Sequence, residues 1–178
     1  MCLALGGKQV EDVPKYKNIT YYIACDDIES FKRTFSTMAA LGTAKHIVKS
    51  SWLIESFEAK QVLPVHNYLV PDNITQEKYG FSISTTLINA ESNRPGGLLL
   101  GKYVYCSSGA LGKGAITLKQ MKKLVVLFGG TWIATQTKLL DVEASNILIV
   151  IPSGQKLSIK LSTANQGGAV PIHLVSDA

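Results

Sequence analysis

Ile47-Val48-Lys49-Ser50-Ser51-Trp52-Leu53-Ile54-Glu55-Ser56 is the stretch on which the fold turns. His46-Ile47-Val48 reads as a short buried strand, because β-branched residues fit a pleated surface. Ser50 or Ser51 offers a hydroxyl to cap a helix that carries Trp52, Leu53 and Phe57. Pro64 lies past the end of that helix. A strand that feeds a helix directly is the unit of an α/β layer, in which helices cover a mostly parallel sheet.

Working outward towards the N-terminus, Ile28–Leu41 reads as a helix, with Phe31, Phe35, Met38 and Ala39 at three-to-four spacing. Gly42 ends it, and Asp26 and Asp27 precede it, where acidic groups favour a helix dipole. Thr20–Cys25 and Lys8–Val13 read as strands, separated by turn residues Pro14 and Asn18. Met1–Leu5 runs into Gly6-Gly7, which reads as a helix C-terminus.

Towards the C-terminus the periodicity fades between Pro71 and Gly97, where Asn, Thr, Ser, Gln, Pro and Gly dominate. That composition predicts a linker with a short strand at Gly80–Ser84. The pattern then resumes. Leu98–Cys106 is a strand, and Thr117 caps a helix to Phe128 that ends at Gly129-Gly130. Thr131–Thr135 and Asn146–Ile151 are strands, Leu157–Asn165 is a helix candidate, and Ile172–Val175 is a final strand. Each half thus runs helix, Gly-Gly, strand, strand, helix, glycine, strand. An internal repeat of this kind outweighs any single motif.

Composition narrows the function classes. Of the 178 residues, 46% are apolar and 17% charged, which is the composition of a folding chain. The net charge of +5 suits an anionic partner without demanding one. Cys2, Cys25 and Cys106 are too few and too scattered for a zinc site or disulfide framework, so Cys25 and Cys106 read as small core residues. No apolar run reaches the ~18 residues of a membrane span, and the N-terminus lacks a signal-peptide pattern. A soluble intracellular chain is expected.

The segment around Trp52, followed by Leu63-Pro64 and Tyr68, resembles the C-terminal part of a BRCT repeat. Gly6-Gly7 and Gly129-Gly130 are similar to the glycine pair after the first helix of that family. Asn67-Tyr68-Leu69-Val70-Pro71 with Gln76-Glu77 resembles the inter-repeat segment of DNA-damage checkpoint mediators, the group of the Crb-type mediator of fission yeast and its relatives. The resemblance implies an α/β fold of two BRCT repeats, each a small parallel sheet flanked by helices. Residues 1–70 form the first repeat, 71–97 the linker and 98–178 the second repeat. It further implies that the first strand of repeat one and the last helix of repeat two are absent. Aligning Ile172–Ala178 on His46–Ser51 puts the second tryptophan past Ala178. Phe35, Met38 and Leu41 are implied as core or inter-repeat contacts.

In phosphopeptide-binding members, a lysine in an Arg-Thr-x-Lys pattern at the start of the second helix helps to hold the phosphate. Arg33-Thr34-Phe35-Ser36 occupies that place here, at the same distance from Trp52. Arg33, Thr34 and Ser36 are therefore the implied phosphopeptide-binding residues. Ser36 brings a hydroxyl but no charge, and Lys32 or Lys45 is the substitute cation. The glycine-rich Ser107–Gly114 invites a phosphate-cradle reading, but it lacks both the Gly-Lys-Ser/Thr ending and GxGxxG. His46, His66 and His173 suggest no metal site, and no catalytic constellation is evident.

The resemblance implies a non-enzymatic recognition module with no cofactor, acting in the nucleus. Its partner would be a phosphoserine peptide, such as a phosphorylated histone tail at damaged chromatin. The alternative is homodimerisation or partner docking independent of phosphate. Small-molecule substrates and membranes are not expected as partners. Direct nucleic-acid binding is not expected either, because charge is modest and no basic cluster interleaves with aromatics.

Overall fold

The computed structural model describes residues 1–10, 19–26, 31–32, 34–93, 97–107, 109–111, 116–152 and 172–176, the last by backbone alone. Two compact units divide the chain, Met1–Arg94 and Pro95–Ala178.

In the first unit a short 3-10 turn, Cys2–Leu5, ends at Gly6. Strand β1 (Ile19–Ala24) and strand β2 (Ala44–Lys49) pair in parallel, with Tyr21 opposite His46 and Ile23 opposite Val48. Helix α1 (Phe35–Thr43) connects them, and helix α2 (Ser50–Glu58) follows β2 without a loop. Period-two alternation sends Tyr22 and Ala24 to the core shared with Phe31, Leu41, Ile47, Val70 and Ile83. Tyr21 goes to the other face, where its ring lies 4.5 Å from that of Trp52.

Four expectations change here. Residues 71–97 are more than a linker: Asp72–Tyr79 (α3) and Ile83–Ser92 (α4) are helices. Ile83 and Ala90 of α4 are buried, and α4 packs against α1 and β2 within the first unit. No strand forms at Gly80–Ser84, because Ser82 caps α4 through the Thr85 amide. Helix α1 starts at Phe35 with Thr34 as its cap, and Ile28–Ser30 lie outside the described residues. Lys8–Val10 belong to no strand, and residues 11–13 lie outside the description.

The second unit holds a four-stranded parallel sheet in the order β4-β3-β5-β6. The strands are β3 (Tyr103–Cys106), β4 (Thr131–Ile133), β5 (Ile147–Pro152) and β6 (Ile172–Ser176). The strand expected from Leu98 starts only at Tyr103, since residues 98–101 turn. Alternation on β5 puts Ile147, Ile149 and Ile151 into one core with Ile133 and Leu139, and Val150 into another with Cys106 and Ala110. Helix α5 (Leu118–Leu127) begins with a capping box, in which Thr117 and Gln120 satisfy each other's backbone amides. The helix candidate Leu157–Asn165 lies outside the described residues.

The repeated glycine pair has a shared physical cause. Gly6 (φ 74°) and Gly129 (φ 81°) each take the left-handed conformation that stops a helix. The second glycine of each pair sits where a Cβ would crowd a neighbour. At Gly7 it would come 2.7 Å from the Cys2 Sγ, and at Gly130 3.0 Å from both Leu99 and Val125.

Candidate functional site

A cluster of hydroxyls gathers at the N-terminus of α1. Thr34 caps the helix by accepting from the Thr37 amide at 3.3 Å. The Thr34 hydroxyl lies 3.1 Å from that of Ser36 and 2.9 Å from that of Thr37. From β1, the Tyr22 hydroxyl reaches the same group, 3.4 Å from Ser36 and 3.2 Å from Thr37. Thr37 is buried, Ser36 half-buried and Thr34 exposed, so the cluster grades from core to solvent. The Phe35 and Ser36 amides belong to the first turn, where helix geometry supplies no intrahelical carbonyl. Amides and dipole together make such an end receptive to an anion.

Of the implied site residues, Thr34 and Ser36 are thus brought together. Arg33 lies outside the described residues. Lys32 is exposed two positions before the cap. Lys45 does not fit as a substitute cation: it lies on β2, past the C-terminal end of α1. A nine-residue helix puts those ends about 13 Å apart. Tyr22 and Thr37 are the additions that sequence reasoning missed. Thr37 is signalled by its Thr-x-x-Thr spacing from the cap, whereas Tyr22 reaches the cluster only through the parallel sheet.

Asp26 serves a helix other than the expected one. It sits just past β1 and accepts from the Ser51 amide at 2.9 Å and the Ser50 hydroxyl at 2.7 Å, so it caps α2. The Ser51 amide, then the Ser50 hydroxyl, hold its carboxyl below the ordinary range. Lys49 is the N-cap residue of α2, and the expected serine cap gives way to this remote carboxylate.

Around β1 a cavity of about 750 Å³ opens between Gly7–Val10 and Ile19–Ile23, with Trp52 and Leu53 among its lining residues. In the second unit the sheet position between β4, which follows Gly129-Gly130, and β5 is filled by β3.

Cys106 is buried, and desolvation pushes its thiol pKa up. Cys25 is exposed, contrary to its reading as a core residue, because the strand ends at Ala24. His46 stacks on Tyr21 with ring centroids 5.6 Å apart. His173 holds the matching place on β6, opposite Ile149. In the glycine-rich loop, residues 109–111 are described, with Ala110 buried, whereas 112–114 are not.

No family model matches the chain. It is 30% identical over 132 residues to PAX-interacting protein 1 of Bos taurus, covering 74% of this chain and 12% of that protein. It is 26% identical over 150 residues to mediator of DNA damage checkpoint protein 1 of Homo sapiens, covering 84% of this chain and 6% of that protein. The chain therefore spans only a small part of these relatives. Among solved structures, the BRCT5-BRCT6 domains of S. pombe Brc1 match with a TM-score of 0.65 and 18% identity, over 83% of this chain and 66% of that one.

Proposed function

We propose, from a chain that has the tandem BRCT fold and resembles segments of DNA-damage checkpoint proteins, that it is a non-enzymatic recognition module of the DNA-damage response. Its partner is a phosphoserine peptide, and the checkpoint-mediator likeness favours a phosphorylated histone tail at damaged chromatin, in the nucleus.

The observation that carries this reading is the hydroxyl cluster on the first turn of α1. Thr34 and Ser36 stand where the resemblance puts phosphate ligands, and Tyr22 and Thr37 hold them in place. A phosphate needs several converging donors to replace its water. The first-turn amides and two hydroxyls supply neutral donors, and exposed Lys32 is the nearest described cation in sequence. With serine in the lysine position, binding is weak and leans on the helix end more than on a fixed cation.

The same serine favours a second reading, in which the pair docks a partner or itself without phosphate. Matched phosphorylated and unphosphorylated serine peptides, titrated by fluorescence anisotropy, separate the two. The first reading requires a preference for the phosphorylated form. Equal affinities, with light scattering showing a dimer, favour the second.

A further inference from the structure

The chain's positive charge is unevenly placed. Met1–Arg94 holds ten basic and ten acidic residues, whereas Pro95–Ala178 holds eight lysines against three acids. The whole excess of +5 therefore belongs to the second unit. The modest net charge of the full chain conceals this asymmetry, which is itself a sign of a polyanionic partner.

Helix α5 concentrates that charge. Lys119, Lys122 and Lys123 are all exposed, and at 100° per residue they fall on one face with Val126, which is 57% exposed. The opposite face carries the buried Leu124 and Val125. No acidic residue stands in the helix or its first turn. Among the described residues none of the three lysines has a hydrogen-bond or ion-pair partner. Like charges at these spacings repel, and Lys119 also sits at the positive end of the dipole. The helix bears this cost without any intramolecular compensation from the described residues, and an external polyanion would relieve it.

We infer that this face of α5 binds the phosphate backbone of duplex DNA. Lys119 and Lys123 are separated by about 6 Å of helix rise, and their long flexible side chains can reach neighbouring phosphates of a duplex. The face carries no aromatic side chain on which an unstacked base would rest, which disfavours single strands. Its cations are all lysines, point charges without the planar fork that grips a carboxylate in two places. The contact is therefore electrostatic and independent of sequence. It uses neither Thr34 nor Ser36, so it stands apart from the phosphopeptide reading.

The test is anisotropy of a labelled 20-base-pair duplex, titrated with the full chain between 50 and 200 mM salt. Three phosphate contacts predict a slope of about −2.7 in log K against log salt, and so about a fortyfold loss of affinity across that range. The triple variant K119Q/K122Q/K123Q, with its fold checked by circular dichroism, should lose most of that slope. A second duplex of unrelated sequence should bind equally. The inference is overturned if the wild-type chain shows no binding at 50 mM salt, or if the triple variant keeps the affinity and slope. Tighter binding to a poly-glutamate peptide than to the duplex would overturn it in favour of an acidic protein partner.

Discussion

The indole N–H of Trp52 donates to the backbone carbonyl of Leu63 at 2.9 Å, and the Leu63 amide donates to the buried Ser56 hydroxyl at 3.2 Å. One face of α2 thereby fastens both polar groups of the residue that leads into Pro64. Trp52, 4% exposed, also packs on Tyr21. Trp52→Ala is expected to cost about 3–5 kcal/mol, as core aromatic truncations do. That is a large part of the stability of a small domain. Trp52→Phe keeps much of the buried area but leaves the Leu63 carbonyl unpaired, and should fall between the two. Urea denaturation of the three proteins checks the order; an unchanged midpoint for Trp52→Ala would remove the core role assigned here.

Asp26 gives a pH dependence whose sign is fixed. Its carboxyl is held below the ordinary range in the folded chain by the Ser51 amide and then the Ser50 hydroxyl. The unfolded state therefore takes up its proton first as pH falls. The stability Asp26 contributes is present above the unfolded value of about 4, and is lost as pH drops through the folded one. Asp26→Asn should lower Tm at neutral pH and make Tm less sensitive to acid. Thermal melts between pH 7 and pH 3 measure this, and parallel Tm profiles for the two proteins would contradict it.

Asp72 ties α3 and α4 together. It accepts from the Ser84 amide at 3.0 Å, from the Ser84 hydroxyl and from the Ser82 hydroxyl at 2.9 Å. Burial raises its pKa, and the hydrogen bonds from Ser84 and Ser82 outweigh that and leave it lowered. Asp72→Ala is expected to speed hydrogen exchange at the amides of Ser84 and Thr85 while leaving β5 protected. Unchanged exchange at Ser84 would show that the cap of α4 stands without Asp72.

The glycine pairs should respond unequally to alanine. At Gly130 the new Cβ meets the Leu99 Cβ, a methyl of the buried Val125 and the Val125 carbonyl. At Gly7 it meets the Cys2 Sγ at 2.7 Å and the Cys2 carbonyl oxygen at 3.1 Å, both in a 3-10 turn that buries no residue. Gly130→Ala should cost about 1–3 kcal/mol by overpacking, and Gly7→Ala less. Chemical denaturation of both variants tests the contrast, and a larger loss at Gly7 would reverse it.

What was legible in the sequence was what local chemistry fixes. The β-branched and aromatic runs at 20–25 and 146–151, the Thr117 cap and the glycine pairs each act within a few residues, and each was readable. Helices α3 and α4 were hidden because they are rich in Asn, Thr and Ser, and draw order from packing and from Asp72. Asp26 was assigned to the nearest helix, yet it caps one that starts 24 residues later, a partnership only the parallel sheet creates. The same sheet carries Tyr22 to Ser36 and Thr37. The position of Thr34 and Ser36 was legible through the resemblance; the company they keep was not.

The most direct test of the proposed recognition is calorimetric titration of a phosphoserine peptide and its unphosphorylated twin into the wild-type chain, Thr34→Ala and Ser36→Lys. The wild type should bind the phosphorylated peptide weakly and Thr34→Ala more weakly still. Ser36→Lys adds a charge-assisted bond of roughly 1.5–3 kcal/mol, so it should bind about ten- to a hundredfold more tightly, with no gain for the unphosphorylated twin. An affinity that ignores the phosphate, or a Ser36→Lys variant no tighter than wild type, would contradict a phosphate site at the start of α1.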